Sequence, residues 1–284
     1  MPESRITNPN YAWAEGPKEK GLEFYDLSHP WGLGQPCWPY FEDVKIERLH
    51  SMSKSRVLTQ RITTVMHSGT HIDAPAHVVE GTPFLEEIPL RNFFGTGVVV
   101  PIPKGKWEVV TPDDLEKVSP QIREGDIVIV NTGWHHHYSD SAKYYAYGPG
   151  FYKEAGDWFV QKKVKAVGID VQALDHPLAT AIGPHGPAET TGGLLPWACA
   201  EYKAETGRDV LQDFPLWEPC HNAILSNGIY GFENVGGDLD KVTGKRVTFA
   251  AFPWRWVGGD GCIVRLVAML DPTGEYRIET GKGG

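Results

Sequence analysis

The sequence predicts a mixed α/β protein: a single domain folded around a central β-sheet. Three observations carry that expectation. Segments rich in β-branched and aromatic residues recur along the chain, only two or three stretches have helical character, and no repeat, low-complexity tract or linker divides the 284 residues. With 41% hydrophobic and 22% charged side chains, the composition suffices for one sizeable core.

Residues 1–20 are polar, with Pro2, Pro9 and Pro17, and read as an N-terminal arm ahead of a domain spanning 21–284. A first strand is expected over Leu22–Leu27. Residues 30–41 follow as an irregular loop carrying Pro30, Pro36 and Pro39 among Trp31, Trp38 and Tyr40. Val57–Val65 is β-branched and reads as a strand, as does Thr96–Ile102. Thr111-Pro112-Asp113-Asp114 is a helix start: a hydroxyl cap, proline at the first helical position, and acids at the positive end of the dipole. Asp126–Val130 is continuously apolar after its first residue, the pattern of a strand covered on both faces. A helix over Phe151–Lys163, a strand at Ala166–Ile169, and two strands over Arg246–Phe252 and Cys262–Ala268 complete the chain.

Charge and composition narrow the function. A net charge of −9 repels phosphate backbones and argues against a nucleic-acid partner. No run approaches the roughly 18 apolar residues of a membrane helix, and no apolar stretch follows the N-terminus as a signal peptide requires. Cys37, Cys199, Cys220 and Cys262 are scattered without C-x-x-C spacing, so neither a disulfide framework nor a cysteine zinc site is expected and a cytoplasmic setting follows.

The chemistry concentrates in Met66-His67-Ser-Gly-Thr-His71-Ile-Asp73-Ala-Pro-Ala-His77, where three imidazoles and a carboxylate lie within eleven residues. On an extended backbone, residues 67 to 73 would span about 20 Å. Donors about 2 Å from one ion cannot be spread so far. The chain must bend, and Gly69 and Pro75 are the residues that allow it. Two neutral imidazoles and one carboxylate, His67, His71 and Asp73, suit Zn²⁺ or Mn²⁺ and leave positions open for water. His77 then lies at the edge of the metal as a general base or acid. The bland alternative, a polar strand end with satisfied histidines, fits a lone histidine better than four donors around a glycine and a proline.

These residues spell H-x-G-T-H-x-D-x-P-x-H, which resembles the signature of the metal-dependent cyclase-like hydrolases, the family of kynurenine formamidase and isatin hydrolase. A second stretch, His221-Asn-Ala-Ile-Leu-Ser-Asn-Gly-Ile-Tyr-Gly-Phe-Glu233-Asn-Val, is similar to the family's H-x-x-[IL]-L-x-x-G-I-x-x-x-E-N-[LV]. Asn131-Thr-Gly-Trp134 and Gly168-Ile-Asp170 look like lesser landmarks, so the resemblance runs from about residue 22 to 270. It implies a swivelling β/β/α fold with a mixed sheet, in homo-oligomers such as dimers or tetramers. It assigns His67, His71 and Asp73 to a first metal and makes His77 catalytic. His221 and Glu233 match positions that hold a second metal with a bridging Asp73 in binuclear members, or position substrate and water in mononuclear ones. Family members also place an aromatic over the substrate from the region of Trp38.

The implied activity is hydrolysis of the C–N bond of a small cyclic amide or imide, isatin- or lactam-like, by metal-bound hydroxide, with His77, His221 and Glu233 handling protons and no organic cofactor. An arylformamidase acting on N-formylkynurenine is the alternative. Residues 135–219 are longer than a compact formamidase needs and favour the cyclic substrate. A two-histidine, one-carboxylate iron oxygenase is a more distant rival, since it needs neither His67 nor His77. His135-His136-His137 reads as a solvated loop, because neighbouring side chains on extended backbone point opposite ways. Asp175, His176 and His185, each near a proline, read as structural loop residues, and Trp254 to Gly261 as packing at a turn.

Overall fold

The computed structural model describes residues 21–276 and 279–281, and the expected arm over 1–20 lies outside them. Eleven strands run in chain order: β1 (Glu23–Asp26), β2 (Lys45–His50), β3 (Thr59–Thr63), β4 (His71–Asp73), β5 (Phe94–Pro101), β6 (Ile127–Asn131), β7 (Ala166–Ile169), β8 (Tyr230–Glu233), β9 (Lys245–Ala250), β10 (Gly261–Ile263) and β11 (Val267–Leu270). Nine of them form one sheet in the order β1-β11-β9-β5-β6-β7-β8-β4-β10, while β2 and β3 pair separately. Strands β5 to β8 are parallel neighbours and the remaining pairings are antiparallel, so the sheet is mixed as expected.

The apolar runs read as two-faced strands are two-faced. Val98, Val100, Val128, Val130, Val167 and Ile169 pack on one side with Phe159, Ile224 and Leu225 from the helices Lys153–Lys162 and Pro219–Ser226. Val99, Ile127, Ile129 and Ala166 point the other way, into a second core with Ile72, Phe232 and Phe249. The period of two along a strand produces this division. Each fully buried Val or Ile contributes roughly 1.5–3 kcal/mol of transfer free energy. Ile72 of β4 and Phe232 of β8, packed in the second core, seat the two strands that carry His71, Asp73 and Glu233.

Two helices, Pro112–Lys117 and Lys153–Lys162, were legible from local signals; the other six α-helices among the described residues were not foreseen. Thr111 caps Pro112–Lys117 reciprocally with Asp114: the Asp114 N–H donates to Thr111 Oγ1 at 3.2 Å, and the Thr111 N–H to Asp114 Oδ2 at 2.8 Å. Lys153–Lys162 buries Ala155, Trp158 and Phe159 at helical spacing. A further helix, Pro196–Thr206, falls within the long 135–219 stretch. Only Ala198 and Tyr202 of its eleven residues are buried, so it carries no strong apolar stripe to read.

One expected element divides. The strand foreseen over Cys262–Ala268 is two strands, β10 on the β4 edge and β11 between β1 and β9 near the other edge. Val264–Leu266 makes the crossing: the Val264 N–H donates to the Thr70 carbonyl, and the Leu266 carbonyl accepts from the Leu27 N–H. Val264 and Leu266 are buried in the second core. The sheet therefore curls until its margins meet, and a bridge between Ser28 and Val235 ties them again. The four cysteines are free, and among the described residues no helix is long and apolar enough to cross a membrane.

Candidate metal centre

The bend expected in the histidine motif is present. Gly69 has φ +62°, and a Cβ there would come within 2.8 Å of the Trp31 ring, so this turn suits glycine. His71, Ile72 and Asp73 then run as β4 between β8 and β10, which sets His71 opposite Glu233 in the register. Pro75 opens a 3-10 turn, Pro75–His77, that swings His77 back over the motif, its ring stacked at 3.9 Å on that of His67. His221 arrives on the third turn-forming residue of the helix Pro219–Ser226.

Asp73 is the hub. Its Oδ1 lies 2.8 Å from His67 Nδ1 and 3.4 Å from His71 Nε2, and its Oδ2 lies 3.7 Å from His221 Nε2. Glu233 closes the cluster, with Oε2 at 3.3 Å from His71 Nε2 and Oε1 at 2.9 Å from His221 Nε2. All five side chains are buried. Two overlapping groups, His67–His71–Asp73 and Asp73–His221–Glu233, each have donor atoms within 4.8 Å of one another. The residues singled out in the sequence converge.

Hydrogen bonds around the cluster orient the rings. His71 Nδ1–H donates to the Gly69 carbonyl at 2.8 Å, which leaves Nε2 as the inward donor atom. His221 Nδ1–H donates to Asp175 Oδ2 at 2.7 Å, and the Leu174 N–H donates to Glu233 Oε1 at 2.8 Å. These supports resemble the outer partners that fix the tautomer of metal-bound histidines. His71 Nε2 and Asp73 Oδ2 are buried without a hydrogen-bond partner. Burial works against charging His71, yet Asp73 and Glu233 outweigh it and hold its pKa up at about 10. For Glu233, burial and Asp73 push upward, but the His221 and His71 rings beside it prevail and bring it down to about 2. A pocket of two carboxylates and orphaned nitrogen and oxygen atoms requires positive charge, and a divalent cation fits that requirement.

Three side chains beside the cluster escaped the sequence reading. Asp260, placed there as turn packing, holds His67 Nε2 at 3.0 Å and lies 3.9 Å from His77 Nδ1. The bond from His67, and then the nearby His77 ring, keep its carboxyl far below the usual range. Asp175, read as a loop residue, is fully buried and binds both ends of the His221 residue, its N–H and its ring. Glu218 has a left-handed backbone, φ 43°, and its side chain lines the cavity beside His221. An isolated carboxylate beside Gly-Gly or before His-Pro gives no spacing signal. By contrast His176 is structural as expected: it is buried, bonded to the Trp107 carbonyl, and driven by burial to a pKa of about 3.

Above the cluster opens a cavity of about 730 Å³, with His67, His77, His221 and Glu233 on its floor. Trp38 lines it, together with Tyr40, Phe41, Phe84 and Trp217. Gln172, Pro187 and Glu218 form a wall from the long 135–219 stretch. The volume and aromatic lining suit a small flat molecule.

The sequence profile of the Cyclase family matches residues 25–176, which include His67, His71, Asp73 and His77. The chain belongs to the Cyclase family. Its fold is shared with solved structures at low identity. Isatin hydrolase A from Ralstonia solanacearum superposes with a TM-score of 0.68 at 22% identity, covering 94% of this chain and 98% of that one. An isatin hydrolase bound to the product analogue thioisatinate gives 0.68 at 19% identity, covering 89% and 94%. A protein from Bacillus stearothermophilus, described as a predicted metal-dependent hydrolase, gives 0.62 at 23% identity, covering 87% and 98%. The match of this Cyclase-family chain to the profile ends before His221 and Glu233, whose place at the site rests on the geometry above.

Proposed function

We propose that this protein is a metal-dependent hydrolase that opens the C–N bond of a small cyclic amide or imide, isatin- or lactam-like. The observation that carries this reading is the buried convergence of His67, His71, Asp73, His221 and Glu233 on the floor of an aromatic cavity. A bound Zn²⁺ or Mn²⁺ would supply Lewis acidity, lowering the pKa of water and polarising a carbonyl. His67, His71 and Asp73 would hold it, and Asp73, His221 and Glu233 would hold a second ion or orient water.

His77 is the proton carrier of this scheme. Its side chain is 28% exposed at the cavity floor, unlike the buried imidazoles around it, and Asp260 faces its Nδ1. From there it can take a proton from the attacking water and return it to the leaving nitrogen. His221 and Glu233, linked at 2.9 Å, extend the proton path. Trp38 and Trp217 would cover a planar ring, and the shared fold with isatin hydrolases supports a cyclic substrate. Exposed Leu49, Val57, Leu58 and Ile62 in and beside the β2–β3 pair support a homo-oligomer, and the free cysteines support a cytoplasmic location.

The test is metal removal and reconstitution with isatin, a lactam and N-formylkynurenine as substrates. Ring opening should vanish on chelation and return with Zn²⁺ or Mn²⁺. Activity that survives complete metal removal would refute the mechanism. Hydrolysis of N-formylkynurenine alone would replace the cyclic substrate by an aryl formamide.

A further inference from the structure

Away from the site described above, a second set of imidazole and carboxylate donors converges. The run His135-His136-His137 is not an extended solvated loop. It forms a 3-10 turn, Trp134–His137, entered through Gly133 at φ +85°. His137 turns its ring edge-on to Trp134. His135 and His136 instead lie with ring centroids 4.0 Å apart and both reach Asp240 on the short helix Leu239–Val242. His135 Nε2 is 3.3 Å from Asp240 Oδ1, and His136 Nε2 is 3.2 Å from Asp240 Oδ2.

The support behind His135 repeats the build of His221. His221 donates its N–H and its Nδ1–H to one oxygen of Asp175, at 2.9 and 2.7 Å. His135 donates the same two groups to one oxygen of Asp170, at 3.2 and 2.7 Å. Asp170 is fully buried, and its other oxygen accepts from the Thr132 N–H and hydroxyl. A neutral His135 held this way has its lone pair on Nε2, which is buried and has no hydrogen-bond partner. Asp240 is steadied in turn by Asn131 Nδ2 at 3.0 Å.

We propose that His135, His136 and Asp240 form a second divalent-cation site, of the Zn²⁺ class, independent of the catalytic cluster. Ligands about 2.0–2.1 Å from a tetrahedral ion stand about 3.3 Å from one another; each ring nitrogen lies at about that distance from one oxygen of Asp240, and one donor atom from each of the three residues lies within 4.8 Å of the others. Two imidazoles and one carboxylate leave a fourth position for water. With both rings bound as neutral ligands, Asp170 and Asp240 would leave two negative charges that a dication balances. The ion would clip the turn after β6 to the helix before β9, and so serve stability rather than turnover. His136 and Asp240 are 60% and 56% exposed, so the ion exchanges freely with solvent and the site is weaker than the buried one.

The test counts metal on the full-length, metal-loaded enzyme after dialysis against buffered micromolar free Zn²⁺. Wild type should retain one equivalent of Zn²⁺ more than either His136→Ala or Asp240→Asn. The Zn²⁺-induced rise in Tm should be smaller in both variants, with the rate of catalysis unchanged. Equal Zn²⁺ counts in all three proteins would overturn the site and leave His135 as an imidazolium between two carboxylates.

Discussion

Asp175→Asn tests whether the outer carboxylates hold the centre together. The helix Pro219–Ser226 has no side-chain cap of its own, because Glu218 ahead of it is left-handed. Asp175 supplies that cap from another segment: Oδ1 accepts the Cys220 N–H at 2.8 Å, and Oδ2 accepts the N–H and Nδ1–H of His221. Asparagine keeps the shape but offers one acceptor oxygen. Its better orientation serves His221 twice and turns an amide N–H toward Cys220. An orphaned buried donor costs roughly 1–3 kcal/mol. The two surviving bonds lose their charge assistance, roughly 1 kcal/mol more. Urea unfolding of the metal-free variant should therefore show a loss of roughly 2–4 kcal/mol. Competition against a chelator should show metal bound roughly 10–100-fold more weakly, since a neutral amide orients and polarises the His221 ring less strongly for the ligand role proposed above. A variant with wild-type metal affinity would refute the reasoning, whatever its stability.

Three further outcomes follow from the geometry. Asp260→Ala strips the acceptor from His67 Nε2 and the carboxylate facing His77. Steady-state kinetics should show kcat down roughly 10–100-fold; an unchanged kcat would make Asp260 a bystander. A Cβ at Gly261 would overlap the His67 ring, so Gly261→Ala should displace that imidazole and reduce the metal content measured after gel filtration. Burial, with Asp175 and Glu233 acting against His221, lifts the Glu218 carboxyl to about 7 from its ordinary 4.5. A raised carboxyl favours the folded state fully below about pH 4.5, and that contribution is lost as pH rises through about 7. The metal-free protein should lose up to about 3 kcal/mol over this window from Glu218, and Glu218→Gln should flatten the fall in unfolding titrations.

What the sequence disclosed, it disclosed through short-range chemistry. His67, Gly69, His71, Asp73 and Pro75 lie within nine residues, so the need for a bend could be argued from reach alone. The strands β5, β6 and β7 were legible because burial on both faces leaves continuous apolar runs. Asp175 and Asp260 were not, because each is a lone acid whose partner is tens of residues or more away, 46 from His221 and 193 from His67. Pairings at that separation depend on how the sheet curls. The same blindness split Cys262–Ala268: its apolar residues look like one strand, and only a curled sheet whose far sides come together explains why they are two. His135 and His136 were dismissed on the geometry of an extended backbone, which a 3-10 turn does not have.

That curl also bears on how the site is held. The crossing Val264–Leu266 is gripped from both sides, by Thr70 beside the histidine motif and by Leu27 at the end of the first strand. Strand β10, although outermost, cannot peel away without breaking both grips, and Asp260 and Gly261 travel with it. The floor of the cavity therefore rests on strands paired on both sides, β4 and β8. The aromatic rims carrying Trp38 and Trp217 lie on segments that belong to no strand. In hydrogen exchange the amides of β4 and β8 should be the slow ones, and ligand entry should be paced by the rim.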